Sequence, residues 1–399
     1  MSADLTDLKD RQVLVIGGTG FVGSRLVAKL AVDCGARVRV LVRNFAKATR
    51  IGRYPIEMVS GDIGKPEDLN RALDGCEVLF HCAYGNSGDA KAQRLVTVGG
   101  TENVLAAAAR FSIKRIVYVS TLSVYGIPDD GDLDETTPRR YAGGLYADSK
   151  LDAENVAHDF IRNRRSPLVI LQPTVIFGPY GPLWTVDVLR KLKTTGILMI
   201  DEGSGFCNAV FIDDVVDAII LAATKDVVGE TFLISAEQPV TWRSFYAAYE
   251  KMLAQPNTIS MSPAEAQSFY NSQRKERRLS RELLKIFRQE TIIRERILTT
   301  PEAQILLRTT RKAIPQSWWR LLKKVANTET IVAWPSWVDT DCFPAPDAVH
   351  PLDIKLNSTK TWVRIDKAKQ LLGYHPKFDL EAGMRVTEEW ARWANLLPH

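Results

Sequence analysis

Histidine and cysteine are both scarce, with five of each among 399 residues. The histidines (His81, His158, His350, His375, His399) are scattered without ligand spacing, so no zinc or iron site is expected. The cysteines (Cys34, Cys76, Cys82, Cys207, Cys342) are odd in number and include no C-x-x-C. That pattern excludes a disulfide framework and leads us to expect reduced thiols in a cytoplasmic protein. No uninterrupted apolar stretch approaches the ~20 residues needed to span a bilayer. The opening MSADLTDLKDRQ lacks the apolar run of a signal peptide, so a secretory leader is not expected.

What is present is the balance of a globular chain, 45% hydrophobic and 25% charged, long enough for one large or two moderate domains. The formal charge of +5 hides an asymmetry. From Gln273 to Lys324 there are 15 Lys and Arg against 5 Asp and Glu. Of the 52 basic and 47 acidic residues, the rest of the chain therefore keeps 37 and 42 and is net acidic.

Short β-branched runs alternate with helical patterns over the first 180 residues. RQVLVIG (11–17), RVRVLV (37–42), IEMVS (56–60), EVLFHCA (77–83), RIVYVS (115–120) and PLVILQ (167–172) read as buried strands. Between several of them lie helical stretches such as TENVLAAAARF and YADSKLDAENVAHDFI. This alternation predicts an α/β, doubly wound parallel sheet whose ligands bind at the carboxyl ends of the strands.

The first strand–helix turn is GGTGFVG, with Gly17, Gly20 and Gly23 in G-x-x-G-x-x-G spacing. Glycine there permits the sharp turn, the close approach of a pyrophosphate, and tight packing of helix on strand. The following helix start offers N–H groups to phosphates. An acidic residue usually follows the second strand in an NAD site, but here the strand ends in Arg43, which favours NADP(H) over NAD if it pairs with a 2′-phosphate, the plain alternative being that it stacks on the adenine or is solvated. Tyr146 is the only one of eleven tyrosines with a lysine four residues on, Lys150. Alone, that pair is an ordinary i,i+4 helix contact. Ser120, Thr121 and Ser123 form a hydroxyl cluster at the end of the fifth strand, where capping is the plain alternative.

Taken together, these motifs make the chain resemble the extended short-chain dehydrogenase/reductase superfamily, in its NAD(P)-dependent epimerase/dehydratase branch. Further matches are GDI (61–63), HCA (81–83), QPTVIFGP (172–179), FIDDVVDAIILA (211–222) and IDKAKQLLGYHPKFDLEAGM (365–384), so that the likeness covers roughly 1–250 and 352–395. It implies a Rossmann core over 1–180. Residues 181–399 would form a smaller substrate-side region that returns segments to the core, with a basic helical insertion at about 251–350. By the same resemblance the cofactor would contact Gly17, Thr19, Gly20, Phe21, Val22, Gly23, Arg43, Asp62, Ile63, Ala83, Lys150, Pro173 and Ile176. Tyr146, Lys150 and Thr121 would be catalytic, Thr121 standing where the family has serine, with Ser123 the nearby alternative. The chemistry is coherent, because a phenol with pKa about 10 needs a nearby cation before it can act as a base at neutral pH. The phenol would exchange a proton with a carbinol or ketone while hydride moves to or from the nicotinamide.

The branch points to a sugar or sugar nucleotide as the small-molecule substrate, yet three positions depart from it. Thr174 replaces an Asn and Cys207 an Arg at the epimerases' nucleotide-diphosphate contacts, and Thr97 replaces an Asn before the GT helix start. The acidic pair of the dehydratases is absent, since Leu122 and Ser123 follow Thr121, so dehydration is disfavoured. The alternative is an oxidoreductase resembling 3β-hydroxysteroid dehydrogenases or dihydroflavonol reductases, whose second strand ends like LVRN. A cofactor-binding regulator is a further class, but it could dispense with Tyr146 and Lys150, and both are present.

The insertion carries a basic amphipathic pattern with Leu279, Leu283 and Phe287 at i, i+4 and i+8, then SWWRLLKKV and a Pro- and Trp-rich stretch. A lid over the substrate, a dimerisation arm for a homodimer, and peripheral contact with an anionic membrane through 279–324 stay open beside a solvated basic subdomain. Nucleic acid is not an expected partner, because no reader motif accompanies the charge.

Overall fold

The computed structural model describes residues 5–274 and 347–398. Its centre is a seven-stranded, wholly parallel sheet. The strands are β1 (Gln12–Ile16), β2 (Arg37–Val42), β3 (Glu57–Ser60), β4 (Val78–His81), β5 (Arg115–Val119), β6 (Leu168–Pro173) and β7 (Thr231–Ile234). They lie in the order β3-β2-β1-β4-β5-β6-β7. All six strands expected from the sequence are present. The seventh comes from beyond residue 180 and pairs with β6, Thr231 opposite Ile170.

Both faces of the sheet are covered, which explains the near-continuous apolar strands. Val13 and Val15 of β1 turn to one face, where they join Val38, Val40, Val117 and Val169. That face packs on α1 (Phe21–Val32) and on α5 (Ile212–Thr224). Leu14 and Ile16 turn to the other, with Leu79, Ile116, Tyr118 and Ile170. There they meet α2 (Pro66–Leu73), α3 (Gly100–Ala108) and α4 (Leu145–Arg164). Alternation along a single strand thus feeds two separate cores.

The second half of the chain is tied back to the first by short strand pairs. Val175–Phe177 pairs with Ala209–Phe211, and Gly131–Leu133 pairs with Thr361–Val363. Asn208 clamps the latter region, donating from Nδ2 to the Thr361 carbonyl at 2.9 Å and accepting from Val363 N at 3.1 Å. The buried Asp214 accepts the backbone N–H groups of Lys377 and Phe378, and burial pushes its carboxyl up to about 6.

Of the stretch 251–350 expected as an insertion, residues 251–274 and 347–350 are among the described residues. Thr258–Met261 is a strand paired in parallel with Ile197–Ile200, so this stretch belongs to the folded body. The amphipathic stretch 279–324 and the tryptophans after it lie outside the described residues. Among the described residues, no helix is long and apolar enough to cross a membrane.

Candidate active site

The glycine turn sits at the carboxyl end of β1, in the middle of the sheet. Gly17 has φ +85°, and a Cβ there would lie 2.7 Å from the backbone nitrogen of Ala83, at the end of β4. Gly23 is equally constrained, since its Cβ would fall 2.2 Å from the Gly17 carbonyl oxygen. Helix α1 can therefore start directly against the turn. Its N-cap, Gly20, carries no side-chain cap, which leaves the first N–H groups for a ligand. Thr19, Phe21 and Val22 are half-buried around it. Across the sheet end, Ile63 is buried, and the Asp62 carboxylate accepts Gly64 N at 2.8 Å. Arg43 is exposed and reaches Asp62 at 3.9 Å. These residues fit a dinucleotide: a cradle that a single Cβ would fill, an uncapped helix start, and a paired Arg43–Asp62 beyond it.

Helix α4 supplies the Tyr–Lys pair. It starts after Gly144, and Asp148 fixes the entry by accepting Ala142 N at 2.8 Å and Gly143 N at 3.2 Å. Tyr146, Lys150, Glu154 and His158 recur every four residues along one side. Desolvation by the surrounding protein pushes the Tyr146 phenol up to about 12, while a hydrogen bond with Thr121 pulls the other way. The residue as a whole keeps 47% of its surface open, with its ring edge-to-face on Tyr84 at 5.5 Å. Thr121 caps the short 3-10 turn Leu122–Tyr125, and its hydroxyl donates to the half-buried Ser123 at 3.3 Å.

Lys150 is buried. Its ammonium donates to the Tyr118 hydroxyl and to the Val119 carbonyl, both at 2.8 Å. Burial lowers it to about 8, and the negative charge of Glu154 opposes that drop. Glu154 is fully buried, and its carboxylate accepts the Ser120 hydroxyl at 2.5 Å, Gln172 Nε2 at 2.8 Å and Arg139 Nη1 at 2.9 Å. Although burial pushes that carboxyl up, its hydrogen bonds and Arg139 prevail and hold it below the usual range. Glu154, Tyr118 and Tyr84 are not among the residues expected from the sequence. Glu154 was visible as the next member of the 146–150 series, whereas Tyr84 and Tyr118 gave no signal short of the fold.

The remaining candidates fall into two groups. Ala83 packs on the turn, Pro173 ends β6, and Ile176 lies half-buried in the next short strand. Cys207 and Thr97 are buried, and Thr174 is half-buried with its hydroxyl engaged by the protein. Thr174 donates to Ser235 Oγ at 3.1 Å and to the Ile234 carbonyl at 3.3 Å. Cys207 is 1% exposed within the apolar core. Thr97 accepts Gly85 N and donates to the Gln93 carbonyl, both at 2.9 Å, inside a π-helical stretch, Leu95–Gly99.

A parallel sheet with a glycine-rich turn at its centre defines a dinucleotide-dependent enzyme. The chain belongs to the NAD dependent epimerase/dehydratase family, whose profile matches residues 13–235. It is 29% identical over 256 residues to a 2-alkyl-3-oxoalkanoate reductase of Shewanella oneidensis, a match covering 60% of this chain and 65% of the relative's length. A longer match, 25% identical over 402 residues, is to a decarboxylating sterol-4-alpha-carboxylate 3-dehydrogenase of Candida albicans and covers 95% of this chain and 97% of that one. In structure it resembles an epimerase of Methanothermobacter thermautotrophicus with a TM-score of 0.69, covering 99% and 96% of the two chains. At 19% identity that likeness speaks for the fold alone.

Proposed function

We propose that this enzyme is an NAD(P)-dependent oxidoreductase interconverting a secondary alcohol and its ketone on a largely apolar small molecule. The observation that carries the substrate class is the engaged hydroxyl of Thr174 together with the burial of Cys207. An epimerase of sugar nucleotides needs polar ligands for a diphosphate at those positions. Here one hydroxyl is spent on the Ile234 carbonyl and Ser235, and the other side chain is a core thiol. Two half-open aromatic rings, Tyr84 and Tyr146, offer apolar contact instead. The relatives named for a 3-oxoalkanoate and a sterol carboxylate support the same class.

In this reading Gly17, Gly20 and Gly23 admit the pyrophosphate of the cofactor, Asp62 and Ile63 flank its adenine, and Arg43 selects NADP(H) by pairing with a 2′-phosphate. The bound nicotinamide supplies or accepts the hydride. Everything else falls to the chain. With its phenol pushed up to about 12, Tyr146 is protonated at neutral pH and is ready to donate. During reduction the carbonyl π bond opens, the carbon gains the hydride, and the oxygen takes the Tyr146 proton. The Thr121 hydroxyl holds that oxygen in line. We assign stabilisation of the phenolate left behind to the Lys150 ammonium one helical turn along, which rests here on the Tyr118 hydroxyl and the Val119 carbonyl and whose own charge Glu154 sustains. Oxidation runs the same steps backwards.

Epimerisation of a sugar nucleotide is the second reading, favoured by the family's description. One experiment separates them. The protein is assayed with NADPH or NADH against β-keto esters and 3-keto sterols, and with NAD and UDP-hexoses for epimerisation. Ketone-dependent consumption of reduced cofactor is expected. Interconversion of UDP-hexoses with no ketone turnover would overturn the first reading in favour of the second.

A further inference from the structure

A cavity of ≈370 Å³ opens on the α1 face of the sheet. Its wall is built from α1, the 49–54 loop, Tyr180, the start of α5, and helix α6 (Leu380–Trp393). None of the candidate cofactor or catalytic residues lines it. Three guanidinium groups do: Arg25, Arg50 and Arg53. Arg25 is neutralised by Asp213, to which it donates from two nitrogens at 2.5 and 2.7 Å. Arg53 donates to the Tyr54 hydroxyl at 2.8 Å. Arg50 makes no hydrogen bond or ion pair among the described residues. Its guanidinium lies 3.9 Å from the centre of the Tyr180 ring. Burial is the main influence and disfavours its charge; Tyr180 and then Tyr54 oppose that, and Arg53 and Arg25 add smaller repulsions.

The same cavity is aromatic. Tyr180 sits against Trp390 with ring centres 4.8 Å apart, held there by a left-handed backbone at Tyr180, φ +66°. The Trp390 indole nitrogen is buried without a hydrogen-bond partner. Among the described residues, the only carboxylates on the wall are Asp213, already committed to Arg25, and Glu389. A half-buried, uncompensated arginine, a second arginine bound only to a phenol, and a Tyr–Trp pair tilted at 48° converge on one space. Planar guanidinium groups are suited to bidentate recognition of carboxylate or phosphate, and aromatic walls to a flat apolar body.

We propose that this cavity binds a small aromatic anion, a phosphate or carboxylate carried on a planar ring, at a site separate from the dinucleotide turn. The site adjoins the cofactor region, because Ser24 and Arg25 belong to the helix that the glycine turn begins. A Cβ on Gly181, next to Tyr180, would also lie 3.2 Å from the Phe21 ring.

The test uses phenyl phosphate, benzoate and inorganic phosphate as probes in calorimetric titrations of the full-length protein, with and without saturating NAD. Phenyl phosphate or benzoate is expected to bind more tightly than inorganic phosphate and to be undisturbed by NAD. Arg50→Ala and Trp390→Leu should each weaken that binding by ten-fold or more, and Arg43→Ala should leave it unchanged. Phenyl phosphate and benzoate distinguish phosphate from carboxylate as the natural head group. Near-ultraviolet circular dichroism verifies that the variants are folded, and Arg50→Lys provides a milder second change that should weaken binding less than alanine. Absence of binding, equal binding by Arg50→Ala, or displacement by NAD together with loss in Arg43→Ala would overturn the proposal.

Discussion

Glu154 lies one turn beyond Lys150 on helix α4, and its carboxylate accepts the hydroxyl of Ser120, the residue next to Thr121, at 2.5 Å. A buried anion therefore braces the strand end that carries the candidate hydroxyl and also favours the charged form of Lys150. Glu154→Gln should lower stability by about 1–3 kcal/mol, the range for losing a hydrogen-bonded charge partner, here Arg139. It should also make the loss of activity at high pH begin at lower pH, because Lys150 would deprotonate more easily. Chemical denaturation and a pH–rate profile read the two effects separately. Loss of stability with an unmoved profile would leave Glu154 a purely structural residue.

Tyr146→Phe should reduce ketone turnover by roughly 10²–10⁴-fold, the usual contribution of a positioned acid. Cofactor affinity should hardly change, since only the phenol oxygen is removed. In the unsubstituted enzyme, kcat/KM for reduction should fall as pH rises through about 8, where Lys150 loses its proton. A flat profile up to pH 10, or near-normal turnover in the phenylalanine variant, counts against the assignment.

Arg43 is 3.9 Å from Asp62 and exposed, so it is free to swing to a 2′-phosphate. Arg43→Ala should weaken NADP(H) by about 1–3 kcal/mol and leave NAD(H) nearly unchanged. Fluorescence titration of both cofactors decides the matter. Equal losses would show that Arg43 supports only the shared adenine half.

His81 supplies a pH-dependent stability term. It is fully buried at the end of β4, with Nε2 3.0 Å from the Thr101 hydroxyl, and burial lowers it to about 3. Its folded-state value lies below the unfolded value near 6.5, so the unfolded chain binds the proton first as pH falls. Stability should decline from about pH 6.5 downward, by about 2 kcal/mol at pH 5 relative to pH 8. In His81→Gln that part of the decline should vanish. Urea unfolding of both proteins at the two pH values isolates it, and parallel declines would remove His81 as the cause.

Much of this was written plainly in local sequence. The six strands from Gln12 to Pro173 are short apolar runs bounded by turns, and the glycine spacing at 17–23 speaks for itself once a strand precedes it. Helix α4 was legible because its polar and apolar positions repeat. What stayed hidden was long-range. Thr231–Ile234 is a four-residue run with no partner in its neighbourhood, so nothing local reveals that it completes the sheet beside β6. The same holds for Thr258–Met261, whose partner is some sixty residues earlier. The hydrogen bonds of Thr174 to Ile234 and Ser235 and the burial of Cys207 depend on backbone direction, which residue type does not encode.

The pairing of Gly131–Leu133 with Thr361–Val363 bears on how the protein is made. A ribosome adds roughly 5–20 residues per second. The nascent sheet therefore waits on the order of 3–12 s between β6 and β7, with an apolar edge unpaired. The clamp at Asn208 waits longer still for Thr361 and Val363. For that interval the dinucleotide half is built but its last strand is not, and the chain exposes the kind of edge that chaperones cover.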